Sequence, residues 1–186
     1  AYAAFLEEVE ALIAGGADVA WIETKSAPEE MRAAARAAID AGLPYTVTGS
    51  FDTAGRTMMG LAPADLAGVF ADLPEQPLAI GANCGVGASD LLLTVQQIQH
   101  PTARIIAKSN CGIPQFHGAE VVYSGDPLLM AQYATLAVDS GACIIGGCCG
   151  TSPEHLAEMR RALDAHVPGE QPSVEQIVQT IGPLTN

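Results

Sequence analysis

The chain has 186 residues, 49% of them hydrophobic and 16% charged, with a formal net charge of −13. This composition suits one folded domain with a sizeable core and excludes a disordered chain. The acidic balance excludes a surface for nucleic acid or an anionic membrane, which need clustered Lys and Arg. No run approaches the roughly 18 apolar residues of a membrane span.

Phe5, Leu6, Val9, Leu12 and Ile13 recur at helical spacing, and Gly15-Gly16 ends that helix. The opening AYAAFLEEVE therefore reads as an amphipathic helix and not as a signal peptide. A strand follows over 18–24 and a helix over 26–42, with Ser26 as cap, Pro28 and Glu29 in its first turn and Gly42 at its stop. Strand 44–51 leads to helix 62–73, strand 77–84 to helix 88–100, and strand 103–110 to helix 126–141. Strand 142–149 and helix 152–166 close the series. The remaining 167–186 reads as a tail with an amphipathic stretch near Val174–Ile181.

Five strands alternate with helices, and each strand is nearly continuously apolar, as in a parallel sheet covered on both faces. A doubly wound sheet usually carries a Gly-rich fingerprint after its first strand. WIETKSAP (21–28) has none, so the pattern favours a (β/α)8 barrel, of which 1–166 holds about the last five βα units.

Active residues of such a barrel gather where strands end. Those points are Glu23-Thr24, Gly49-Ser50-Phe51, Asn83-Cys84, Asn110-Cys111 and Cys148-Cys149. Five cysteines, an odd number at modest density, suit a reducing compartment and point to the cytoplasm. Spacing alone leaves three readings of the strand-end cysteines: buried thiols, a vicinal redox pair, or ligands of one soft metal site. Cys111 is a rival ligand by the same argument, and Cys143, inside a strand run, is expected in the core.

GGCCGTSPEH (146–155) together with GANC (81–84) closely resembles the zinc-dependent homocysteine S-methyltransferases. That family includes betaine–homocysteine methyltransferases and the homocysteine module of cobalamin-dependent methionine synthase. ET at 23–24, SF at 50–51 and SNCGIP at 109–114, similar to the family's Pro-Asn-Ala-Gly-x-Pro, support the resemblance, which spans roughly 1–165. GSFDTAGRTMMG (49–60) and GANCGVGASDLL (81–92) are similar to bacterial proteins described as betaine–homocysteine methyltransferases.

The resemblance implies Zn²⁺ on Cys84, Cys148 and Cys149, and methyl transfer to homocysteine to give methionine, with betaine as the expected donor. It implies Glu23 as partner of the substrate ammonium, Ser50 as a pocket residue, and Asn110 as the group at zinc's fourth position when substrate is absent. Asn83 is expected to bind substrate or to fix the Cys84 loop. Thr151 and Ser152 offer helix-start amides to the substrate carboxylate or serve as plain capping; His117, Trp21 and Tyr123 are donor contacts or ordinary loop and core residues.

Two alternatives stay open: a non-catalytic zinc-binding or redox-sensing domain, and a methionine synthase module fed by cobalamin or methyl-folate. Family members have a complete barrel. The chain reads as its C-terminal part, so its free strand edges imply a homo-oligomer or a missing N-terminal segment.

Overall fold

The computed structural model describes residues 1–118 and 120–185, without the side chains of Pro114, Phe116, His117, Glu120 and Val121. Its strands are β1 (Ala20–Lys25), β2 (Tyr45–Gly49), β3 (Ala79–Cys84), β4 (Arg104–Ser109), β5 (Pro114–His117), β6 (Glu120–Tyr123) and β7 (Ile144–Gly147). Its helices are α1 (Tyr2–Ala14), α2 (Pro28–Asp40), α3 (Ala88–Gln97), α4 (Pro127–Asp139), α5 (Pro153–Ala165) and α6 (Val174–Ile181).

Five of the strands form one parallel sheet in the order β1-β2-β3-β4-β7. Each strand joins beside its predecessor, whereas a doubly wound sheet reverses direction at a switch point. The sheet is curved. Glu23 on β1 and Lys108 on β4 form an ion pair although two strands lie between them. In a flat sheet three strand spacings would hold their backbones roughly 14 Å apart. Curvature with sequential order makes this an arc of a barrel.

The outer face carries the core. Tyr45, Val47 and Ile80 are buried with Met31, Ala35 and Ala38 of α2 and Leu92 of α3. Alanines on the buried side of α2 let it lie close to the strands; Pro28 sits in its first turn beside Glu29 and Glu30, acids that favour a helix start. Tyr45 meets Phe70 edge-on at 6.4 Å between centroids.

Two local expectations are corrected, and one unanticipated element is found. The helix expected over 62–73 is two short 3₁₀ turns, Pro63–Asp65 and Ala67–Phe70, with i to i+3 bonds such as Leu66 N–H to Pro63 C=O at 3.2 Å. Gly68 inside that run weakens an α-helix, and burial of Leu66, Phe70 and Leu73 holds the tighter turns in place. The stretch between β4 and α4 contains the antiparallel β5–β6 hairpin. Cys143 is exposed, not core. It precedes β7, which pairs only with β4 among the described residues, and it lines a groove with Val138, Arg160 and His166.

Residues 167–185 do not trail freely. Ile177 and Ile181 of α6 are buried, α6 contacts α3 and α4, and the Ser89 hydroxyl donates to Gly182 C=O at 2.7 Å.

At Gly81 on β3, a Cβ would overlap the Ile106 backbone of β4. Gly81→Ala is therefore expected to destabilise the fold by about 3 kcal/mol, the upper range for overpacking a core. Urea unfolding checks this; an unchanged midpoint would show that the two strands part freely there.

Candidate metal centre

β3 and β7 deliver three sulfurs to one point. Cys84 ends β3 in the left-handed region, with φ +58, followed by Gly85 at φ +72. For a residue with a Cβ this conformation is uncommon and costs of the order of 1–3 kcal/mol. The turn brings the Cys84 sulfur to 2.9 Å from that of Cys148 and 3.6 Å from that of Cys149, 64 and 65 positions away in the chain. All three sulfurs lie within 4.8 Å of one another. That is the scale of a single-ion site with metal–sulfur bonds of about 2.3 Å. All five cysteines are free thiols.

Burial first, then hydrogen bonding to Cys148, pushes the Cys84 thiol well above its ordinary range. Three crowded thiols repel one another as thiolates, and a divalent cation among them removes that penalty. The donor set therefore fits a soft or borderline metal ion.

The sulfurs are held by a buried frame. Asn83 is 0% exposed and joins four elements. Its Oδ1 accepts from the Thr24 N–H at 3.0 Å and the Thr48 hydroxyl at 2.6 Å. Its Nδ2 donates to Thr24 Oγ1 at 2.7 Å and to the Cys148 sulfur at 3.8 Å. Thr24, like Cys84, has a positive φ, +60, which aims its backbone at Asn83.

Asn110 stitches the two cysteine loops together. Its Oδ1 accepts from the Cys149 N–H at 3.1 Å, and its Nδ2 donates to Gly85 C=O at 3.0 Å. The Cys148 N–H continues the sheet by donating to Ser109 C=O at 2.6 Å. Small residues in the loop answer to its neighbours: a Cβ on Gly147 would overlap Thr151, and one on Gly150 would overlap the Tyr123 ring. Tyr123, at the end of the β5–β6 hairpin, thus packs on the cysteine loop, and burial and the Cys149 thiol push its phenol up.

Cys111 stands outside this cluster. It is buried, its thiol donates to Gly125 C=O at 3.0 Å, and its sulfur lies 3.0 Å from His155 Nε2. Ser152 and His155 form a capping box at the start of α5, with the Ser152 N–H donating to His155 Nδ1 at 3.1 Å. A neutral His155 then carries its proton on Nε2, facing the Cys111 sulfur. The Cys111 N–H donates to Cys149 C=O at 2.9 Å. The pair therefore ties the start of α5 to the cysteine loop, and Ser152 serves as a cap.

Glu23, Trp21 and Lys108 meet on the inner face. Trp21 Nε1 donates to Glu23 at 3.2 Å, Lys108 pairs with the same Glu23 oxygen, and Lys108 Nζ lies 5.4 Å from the Trp21 ring centroid. Lys108 was not among the residues singled out by sequence. Its spacing along an apolar strand resembles an ordinary solvent-facing lysine, and only the curvature brings it to Glu23. Ser50 is buried, with its hydroxyl 3.2 Å from Asp52 Oδ2. The His117 side chain lies outside the described residues.

A sequence profile of the homocysteine S-methyltransferase family matches residues 1–163. The fold is similar to crystal structures of the Escherichia coli homocysteine methyltransferase MmuM. The apo form matches at 23% identity and TM-score 0.68, covering 87% of this chain and 57% of that one. The oxidised form matches at 24% identity and TM-score 0.69, covering 87% of this chain and 52% of that one. The metallated form matches at 24% identity and TM-score 0.68, with the same coverage as the oxidised form. The chain therefore spans about half the length of the structures it matches, and the sheet is part of a barrel.

Proposed function

Since the chain belongs to the homocysteine S-methyltransferase family, we propose that it carries the zinc site and part of the substrate pocket of an enzyme that methylates homocysteine to methionine. The observation that carries this reading is the meeting of three sulfurs from two strand ends. Betaine is the proposed donor, on the resemblance of 49–60 and 81–92 to bacterial betaine-dependent proteins. We propose as well that further βα units complete the barrel, since β1 and β7 each pair on one side only among the described residues.

Cys84, Cys148 and Cys149 would hold Zn²⁺, whose chemistry here is to stabilise the thiolate of a bound thiol near neutral pH. The chain's own residues do the rest. Asn83 fixes the Cys148 sulfur and the Thr24 backbone in one arrangement. Asn110 holds the two cysteine loops at a constant separation through Cys149 and Gly85. Glu23, one residue before Thr24, presents a carboxylate for the substrate ammonium. The attacking sulfur and the methyl carbon form the new bond as the donor's carbon–nitrogen bond breaks, its electron pair staying on the nitrogen of dimethylglycine.

The test supplies the zinc-loaded, full-length barrel with homocysteine and methyl-labelled betaine, and follows label into methionine. Label is expected with zinc and absent after Cys149→Ala. Transfer from a sulfonium or a methyl-corrinoid but not from betaine would overturn the donor. No transfer from any of the three would overturn the reading.

A further inference from the structure

We propose that Lys108 is a substrate-binding residue of this site: its ammonium takes the α-carboxylate of homocysteine while Glu23 takes the α-ammonium. The inference rests on the reading above and assigns a role to a residue outside the cysteine cluster.

Four observations carry it. First, Lys108 and Glu23 form an ion pair in the absence of ligand, with side chains 23% and 32% exposed. The pair is reachable from solvent, unlike Asn83 beneath it. Second, Glu23 is the hydrogen-bond acceptor for the Lys108 ammonium among the described residues. The ammonium is thus held by one exchangeable partner. Third, Lys108 stands on β4, the strand between β3 and β7, whose ends deliver the sulfurs. It is in register with Asn83 on β3 and with Gly146 on β7. A Cβ at Gly146 would lie 3.4 Å from Lys108 Cγ, so the missing side chain leaves the lysine stem its lane. Cys148 follows two residues after Gly146, about 6.6 Å further along the strand direction.

Fourth, the charges balance. A cation–anion pair is complementary to a zwitterion. When homocysteine enters between them, each side chain exchanges its partner for the opposite end of the substrate, and neither is left as an uncompensated charge. Trp21, which donates to Glu23 and lies under Lys108, holds the carboxylate in place during that exchange.

Three thiols separate the roles: homocysteine, mercaptobutanoate, which lacks the amine, and aminopropanethiol, which lacks the carboxylate. Their affinities for the zinc-loaded protein are measured by calorimetry. Lys108→Met is expected to weaken homocysteine and mercaptobutanoate by about tenfold to a hundredfold, the range for a charge-assisted hydrogen bond. Aminopropanethiol is expected to bind unchanged or more tightly, because Glu23 has lost its internal competitor. Lys108→Arg is expected to recover mercaptobutanoate binding, and Lys108→Gln to repeat the Met pattern if the Met variant folds poorly. Equal weakening of all three thiols, or of none, by both Met and Gln variants would overturn the proposal while leaving the thiol-binding reading intact. If the unaltered protein binds none of the three, both readings fall together.

Discussion

Cys148→Ala is expected to abolish stoichiometric zinc binding. Cys148 is the member of the cluster closest to Cys84 and the one that receives the Asn83 amide. Structural zinc sites bind with roughly 10–16 kcal/mol shared among four ligands. One lost thiolate is therefore worth about 3 kcal/mol, a weakening of at least about a hundredfold. Cys84→Ala and Cys149→Ala are expected to behave alike. Cys143→Ala is expected to keep full zinc content, since Cys143 is exposed and outside the cluster. Metal analysis after dialysis against a competing chelator reads both outcomes. Full occupancy in Cys148→Ala would remove that residue from the ligand set.

Asn83→Ala is expected to be the most damaging change that removes no ligand. It leaves the Thr48 hydroxyl without its acceptor in a fully buried place, and it releases the Thr24 N–H, on an exposed residue, to water. The stranded Thr48 hydroxyl costs about 1–3 kcal/mol, and a loss of that size in folding stability is expected. The Cys148 sulfur also loses its donor, and partners behind metal ligands are worth about tenfold to a hundredfold in metal affinity. Asn83→Asp keeps the acceptor oxygens, loses the donors to Thr24 and Cys148, and adds a negative charge beside three thiols. Urea unfolding and a zinc competition assay on both variants check this. An aspartate variant matching the unaltered protein in both would show that the amide donors contribute nothing.

Much of this was legible in the sequence, because parallel strands and helices impose different periodicities on apolar residues. The strand ends followed from the same pattern, and with them the places of Cys84, Cys148 and Cys149. The hairpin was not legible in that way, although QFHGAEVVY (115–123) sets strand formers on both sides of Gly118. Cys143 shows a different limit. An apolar run marks a buried strand only where something covers it, and the side chain lies at an edge of this sheet. The sequence points to Asn83 only as a substrate-binding residue or a brace for the Cys84 loop; its bonds to Thr24, Thr48 and Cys148 depend on the successive registers β1-β2-β3-β4-β7, which no single segment encodes. Lys108 depends on curvature, a property of five strands together.

On the proposed reading, three cysteine sulfurs hold one zinc ion and leave it a place for a substrate sulfur. X-ray absorption at the zinc edge, on the zinc-loaded protein with and without homocysteine, tests it most directly. The expected result is three sulfur neighbours at about 2.3 Å and one lighter atom, becoming four sulfurs when homocysteine is added. A spectrum already showing four sulfurs without homocysteine, or one that homocysteine leaves unchanged, would contradict it.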